Sequence, residues 1–173
     1  MKKLSLLIFF LTTVIIVSGQ VNPVDELYDK YAGRDGFTSV LISSKMLGLF
    51  ANMESGDKAA DDIMGKLKSI RILAVEDTTL NRSINFYTEL ARKMDFSGYE
   101  EIMVVREGRN VTYFLTKLSG KSISELLLIS GGTGGNTLIS IRGDLNLKEL
   151  SELSRNMGIE QLKALEDLEK KLP

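Results

Sequence analysis

Tyr99-Glu-Glu-Ile-Met-Val-Val-Arg-Glu-Gly, Asn110-Val-Thr-Tyr-Phe-Leu-Thr-Lys, Ile123-Ser-Glu-Leu-Leu-Leu-Ile-Ser and Asn136-Thr-Leu-Ile-Ser-Ile-Arg follow one another closely between residues 99 and 142. Each run is short and rich in strand-forming residues. Turn residues divide them: Glu107-Gly108-Arg109-Asn110, Ser119-Gly120-Lys121-Ser122 and Gly131-Gly132-Thr133-Gly134-Gly135. Connections this short allow antiparallel pairing but not a parallel crossover, which needs a dozen residues or more. The stretch therefore predicts a four-stranded antiparallel meander.

Within it, Ile102-Met-Val-Val is apolar at consecutive positions, which predicts a central strand covered on each side at least in part, and Leu126-Leu-Leu-Ile is again apolar on both faces. Val111, Tyr113 and Leu115 alternate with Thr112 and Thr116, an alternation that Phe114 interrupts. After the last strand, Asn146 with Glu149 three residues on has capping-box spacing, and Leu147, Leu150, Leu153, Ser154 and Met157 share a helical face. Gly158 stops that helix, and Ile159, Leu162, Leu165 and Leu168 begin another.

Upstream, Val24, Leu27, Tyr28 and Tyr31 recur at helical spacing behind Pro23, with Gly33 or Gly36 suited to the end. Phe37 to Ser43 reads as a strand, followed by an apolar helix from Lys45 to Met53. Asp57 suits the cap of a helix through Ala59, Ala60, Ile63 and Met64. Met46, Met53 and Met64 read as core filler, with an adaptable binding surface as the other option. Ser69 to Glu76 is a second upstream strand. Asp77-Thr78-Thr79 then caps a helix from Leu80 to Met94, with Ile84, Tyr87, Leu90, Ala91 and Met94 as its apolar stripe. Two partial repeats come in opposite order, so tandem duplication does not explain them. Strands gathered late in the chain with amphipathic helices around them predict an α+β domain: a mainly antiparallel sheet with a C-terminal meander, packed against helices.

The first nineteen residues stand apart. Lys2 and Lys3 precede an apolar run from Leu4 to Val17, and Val17-Ser18-Gly19 offers a small residue at the cleavage position. This is the layout of a secretory signal peptide, and the run falls short of the roughly 20 residues a membrane-spanning helix needs. Residues 1–19 are expected to be removed near Gly19–Gln20, leaving 20–173 as a single domain of 154 residues. A retained anchor is the alternative. The exported form carries 20 basic and 23 acidic side chains, a net charge of −3 with no basic cluster. Such a balance argues against nucleic acid and anionic lipid as partners.

Neither cysteine nor histidine occurs anywhere in the chain. The first absence removes disulfides and the acceptor for bacterial lipidation, so the processed form is expected to be soluble with no stable membrane anchor. The second excludes Ser-His-Asp and Cys-His catalysis and the usual zinc sites. Gly131 to Gly135 is followed by strand, without the Lys-Ser or Lys-Thr of a phosphate loop, and reads as a flexible hairpin. Asp61-Asp62, Glu76-Asp77 and Glu100-Glu101 lack calcium-loop spacing and read as solvated surface. Ser43, Ser44, Ser119, Ser122 and Ser130 lack a nucleophile-elbow setting, although Lys45 and Lys121 lie near some of them. Asn81-Arg-Ser and Asn110-Val-Thr match a glycan acceptor pattern that matters only in eukaryotic secretion.

Gly36-Phe-Thr-Ser-Val-Leu-Ile-Ser-Ser-Lys-Met, Leu67-Lys-Ser-Ile-Arg-Ile-Leu, Tyr99-Glu-Glu-Ile-Met-Val-Val, Glu125-Leu-Leu-Leu-Ile-Ser-Gly-Gly and Leu138-Ile-Ser-Ile-Arg-Gly-Asp-Leu-Asn-Leu carry a resemblance to the domain-of-unknown-function family DUF4252, small exported proteins of Bacteroidota. The resemblance implies an envelope location and an α+β domain, and supplies no catalytic residues. Many members look like lipoproteins; this chain departs from them in lacking cysteine. The expectation is a non-catalytic exported envelope domain, periplasmic or at the surface, that binds a protein or small ligand, with a place in envelope signalling. No catalytic, cofactor-binding or metal-binding residue is assigned, and polar side chains are expected to converge nowhere. A carrier with a Met- and Leu-lined hollow between sheet and helices is the alternative, and a hydrolase using carboxylates or a Ser-Lys pair a third.

Overall fold

In a computed structural model, residues 21–52 and 58–157 are described. Asp57, Met53 and the helix expected from Ile159 to Leu168 lie outside them, as does the N-terminal segment. The elements are α1 (Pro23–Tyr31), β1 (Phe37–Ser43), α2 (Ser44–Ala51), α3 (Lys58–Lys66), β2 (Leu67–Val75), α4 (Leu80–Ser83), α5 (Phe86–Ala91), β3 (Glu100–Glu107), β4 (Asn110–Ser119), β5 (Ser122–Gly131), β6 (Thr137–Leu145) and α6 (Leu147–Met157). All six strands form one antiparallel sheet in the order β1-β2-β6-β5-β4-β3. The expected α+β architecture and its meander, β3 to β6, are both present.

Strand alternation deals the apolar residues to two cores. Leu126 and Leu128 of β5, Ile139 and Ile141 of β6, and Ile70 of β2 face α2, α3 and α6, meeting Leu47, Ile63, Leu150 and Leu153. Leu127, Ile129, Leu138 and Leu73 face the other way, toward α1 and α5, meeting Val24, Leu27, Tyr28 and Phe86. The consecutive leucines of β5 are explained by burial on both faces. Phe114 interrupts the alternation of β4 for the same reason: it lies in the first core, and Leu115 and Tyr113 pack with the second.

Two helix ends follow the expected chemistry. Pro23 opens α1 and the Asn22 side chain accepts a hydrogen bond from Val24 N–H. At α6, Asn146 accepts from Glu149 N–H and Glu149 accepts from Asn146 N–H, both at 2.9 Å, which is the reciprocal capping box.

Three expectations need correction. The helix from Leu80 to Met94 is interrupted: α4 ends at Ser83, and Asn85 caps a separate α5 by accepting from Thr88 N–H. A tertiary bond reinforces the break. Asn136 Oδ1 accepts from Phe86 N–H at 2.9 Å, a buried bond spanning 50 residues; Phe86 is fully buried, while Ile84 packs only partly against the same core. Next, β3 is an edge strand, not a central one. Its apolar run is half-covered, with Ile102, Met103 and Val105 against one core and a neighbouring aromatic cluster (Tyr87, Phe96, Tyr99, Tyr113) against the other. Finally, Met46 is no core filler; it is 47% exposed, whereas Met64 packs partly against the first core.

Candidate functional site

The expectation that polar side chains converge nowhere fails between α1 and the sheet. Asp25 of α1, Arg71 of β2, Arg142 and Ser140 of β6, Glu125 of β5 and Tyr99 just before β3 form one linked group. Strand register explains the assembly. Glu125 pairs with Arg142, and Ser140 with Arg71, so side chains from three neighbouring strands rise on the face that α1 covers. Glu125 is 4% exposed. Its carboxylate accepts from Ser140 Oγ at 2.6 Å, Arg142 Nε at 3.0 Å and Tyr99 OH at 2.8 Å. Arg142 Nη1 donates to Asp25 Oδ2 at 2.9 Å, and Arg71 Nη1 lies 3.4 Å from Asp25 Oδ1.

Two carboxylates face two guanidinium groups, so the group is neutral as a whole, which is the condition for tolerating charge at this depth. Burial disfavours the Arg142 cation, but the Asp25 hydrogen bond and the Glu125 carboxylate outweigh it and raise its pKa. Tyr99 is driven well above the ordinary phenol range, first by burial and then by the adjacent Glu125 charge and hydrogen bond. A tyrosine in that state neither gives up a proton nor takes one near neutrality. Arg71 Nε and Arg142 Nη2 are buried without a hydrogen-bond partner. The group ties α1 to the sheet through Asp25.

The glycine-rich segment is braced rather than loose. Asn136, 1% exposed, donates to Asn81 Oδ1 at 2.9 Å and to Gly132 O at 3.2 Å. Asn110 Oδ1 accepts from Gly134 N–H at 2.9 Å. A Cβ at Gly131 would lie 2.2 Å from Asn85 Oδ1, and one at Gly134 2.3 Å from Asn110 Nδ2. The glycines let asparagine side chains approach the backbone, and the segment closes the β5–β6 hairpin. Both asparagines of the glycan acceptor patterns are committed to this bracing.

The remaining sequence candidates separate in space. Among the described residues no group of three or more acidic side chains is placed to hold a metal ion. Asp77 caps α4, accepting from Thr79 and Leu80 N–H, which lowers its pKa. Ser43 accepts from Met46 N–H at the start of α2, and Ser130 accepts from Thr137 N–H inside the β5–β6 hairpin. Ser119 and Ser122 share a hollow of about 290 Å³ with Lys68, Ser124, Gly143 and Asp144, away from the buried charged group.

What sequence reading missed on the surface is apolar. Val40 and Leu41 of β1 are 38% and 55% exposed, and Met46, Leu49 and Phe50 of α2 are 47%, 57% and 42% exposed. Taking α2 at about 100° per residue, Leu47 points into the core, and Gly48 and Ala51 lie on the flank toward α3, where Ala51 Cβ is 3.9 Å from a Cβ built at Gly65. Met46 and Phe50 fall on the opposite flank, with Leu49 on top. Val40, paired with Ile72, shares the sheet face that α2 covers, whereas Leu41, paired with Arg71, lies on the α1 face.

The model of the domain of unknown function DUF4252 matches residues 30–153. The chain belongs to the DUF4252 family. No curated protein and no solved structure matches it. The DUF4252 match spans the whole sheet, the β1–α2 surface and every member of the charged group except Asp25. No described helix is long and apolar enough to cross a membrane, a statement that leaves β-barrels aside.

Proposed function

We propose that this DUF4252 protein is a non-catalytic, exported cell-envelope domain that binds a protein partner through β1 and α2. The observation that carries the reading is the contrast between the two sheet edges. β3 carries Glu100, Glu101, Arg106 and Glu107 and a register shift between Glu101 and Met103, the devices that discourage strand addition. β1, Phe37-Thr-Ser-Val-Leu-Ile-Ser, carries no charge and pairs with β2 over seven residues without a shift. An uncharged, regular edge beside exposed Met46, Leu49 and Phe50 is a surface suited to a partner. Packed side chains occupy the sheet–helix interfaces where a carrier would keep its hollow: Leu47, Ile63, Leu127 and Phe86 are each at most 3% exposed.

The test has two arms. Fractionation of cells making the full chain should place it in the envelope with Gln20 as its first residue. A pull-down from native envelope should recover a protein that the Leu49→Asp and Phe50→Asp variants fail to retain. Turnover of a hydrolase panel that a single Ser or Asp substitution abolished would overturn the reading, as would a pull-down insensitive to both variants.

A further inference from the structure

Four aromatic rings gather where α5 meets the β3–β4 side of the sheet, packed against the second core. Tyr87 of α5 lies over Tyr113 of β4, with ring centroids 4.4 Å apart and planes within 15° of parallel. Phe96 stacks on Tyr87 at 5.7 Å, and Tyr99 meets Phe96 edge-on at 6.3 Å. We infer that Tyr87 and Tyr113 form an oxidative cross-linking site, at which a peroxide oxidant joins the two rings into a dityrosine and ties α5 covalently to β4.

The geometry of the pair supports ring-to-ring coupling. Stacked aromatic pairs usually keep their centroids about 4.5–7 Å apart, so these rings sit at the close limit. Their hydroxyls are also neighbours. Burial pushes the Tyr87 phenol up, and the charge and hydrogen bond of Tyr113 push it further, ahead of the charge on Glu101. Parallel rings whose hydroxyls meet must point the same way. The ortho carbons beside one hydroxyl therefore lie against those of the other ring, and these are the carbons at which phenoxyl radicals couple.

The other tyrosines lack such a partner. The chain has five, at 28, 31, 87, 99 and 113. Among the described residues no second pair of tyrosine rings meets. Tyr31 packs on Phe37 and Phe86, and its hydroxyl is held by Glu89. Tyr99 donates to buried Glu125, and Tyr28 is 6% exposed. Tyr87 and Tyr113 are half-buried, open to a small oxidant yet held still by the elements that carry them.

The step balances with hydrogen peroxide. Each phenol gives up one electron and its hydroxyl proton, and the two hydrogens so lost reduce one peroxide to two waters. The two phenoxyl radicals pair their odd electrons in a new bond between an ortho carbon of Tyr87 and one of Tyr113. The hydrogen on each of those carbons then shifts to the adjacent oxygen, which restores both phenols. The closed loop, residues 87–113, contains all of edge strand β3. A cross-link of this kind stabilises by restricting the unfolded chain, in a protein that has no cysteine to do so.

The test treats the processed chain, residues 20–173, at low concentration with hydrogen peroxide and a haem peroxidase. Free tyrosine in a parallel reaction confirms that the oxidant works. The wild type should remain monomeric on denaturing gels, lose two hydrogens of mass, gain dityrosine fluorescence and yield one linked peptide pair carrying Tyr87 and Tyr113. Its urea midpoint should rise. Tyr87→Phe and Tyr113→Phe keep the stacked rings without the phenol, and each should reduce the intramolecular product to background; circular dichroism confirms that both fold. Tyr28→Phe should leave the yield unchanged, and unfolding the wild type in urea before oxidation should abolish the preference for this pair. A wild type that forms no link while free tyrosine couples overturns the inference. So does a link that maps to another pair or joins two chains, or a yield that survives either Tyr87→Phe or Tyr113→Phe.

Discussion

Replacing Glu125 by glutamine isolates the charge at the centre of the buried group, because the side chain keeps its shape. The amide oxygen can still accept from Ser140 and Arg142, and Tyr99 can reverse its hydroxyl to accept from the new amide N–H. Hydrogen bonds survive; the negative charge does not. Arg71 and Arg142 then face Asp25 alone, and removing one partner of a fully buried pair costs about 3–5 kcal/mol. The Arg142 side chain is 20% exposed, so water screens part of this, and about 2–3 kcal/mol is expected. For a domain of this size that is a fall of roughly 5–10 °C in Tm. Arg142→Met strands the Glu125 carboxylate instead and should cost about 3–4 kcal/mol. Together the two changes restore neutrality and leave the Asp25–Arg71 pair, 3.4 Å apart, in place. The double variant should therefore sit near the worse single one, about 3 kcal/mol below wild type, with a coupling energy of about 2–3 kcal/mol. Urea unfolding of all four proteins at pH 7, followed by circular dichroism with an unchanged slope, measures this. Losses that add to within about 0.5 kcal/mol would show that the carboxylate and guanidinium act independently and would refute the reasoning.

Three further outcomes follow from the same structure. Burial pushes the Glu89 carboxyl up, but hydrogen bonds from Lys30 and Tyr31 pull it net down; Glu149 is likewise held low by Lys66 and Asn146 N–H against its burial. A depressed carboxyl stabilises the fold above its unfolded pKa and loses that contribution as pH falls through the folded one, so urea midpoints should decline below about pH 4, and Glu89→Gln should flatten the decline. Gly131→Ala drives a methyl into Asn85 Oδ1 and releases the α5 cap, which should cost about 1–3 kcal/mol in the same unfolding assay while exposed Gly98→Ala costs little. Asn136→Ala leaves Phe86 N–H and Asn81 Oδ1 without their buried partner, and a loss of about 2–4 kcal/mol with faster exchange at the Phe86 amide is expected.

The legible part of this fold is the part governed by local rules. Pro23 and Asn22, the reciprocal Asn146–Glu149 box and the glycine turns of the meander act within a few residues of themselves, and each element they bound is where its pattern put it. The errors arise where a distant residue overrules the local pattern. Near Ser83 the local cue is Asn85, which caps α5, and Asn136 adds a bond that no local pattern shows, capturing the Phe86 amide from across the chain. The apolar run of β3 has the composition of a central strand. Its position at the edge is set by chain order, since a meander entered at β3 and closed by β6 against β2 leaves β3 with one neighbour.

The polar and apolar surprises share a cause in register. Asp25, Arg71, Tyr99, Glu125, Ser140 and Arg142 are scattered over 118 residues, and each alone resembles an ordinary solvated side chain. Only the pairing of Glu125 with Arg142 and of Arg71 with Ser140 places them on one face, and the second of these joins residues far apart in the chain, which leaves no local signal. One cue was available: Glu125 and Arg142 interrupt otherwise apolar strands, and a charge inside a doubly buried strand requires an opposite charge beside it. The same logic bears on β1 in reverse. Leu41 pairs with Arg71, whose guanidinium is drawn toward Asp25 by the buried group. Leu41 is thereby placed on the α1 face of the sheet, beside the buried group, while β1 itself is uncharged because none of its seven residues carries a charge.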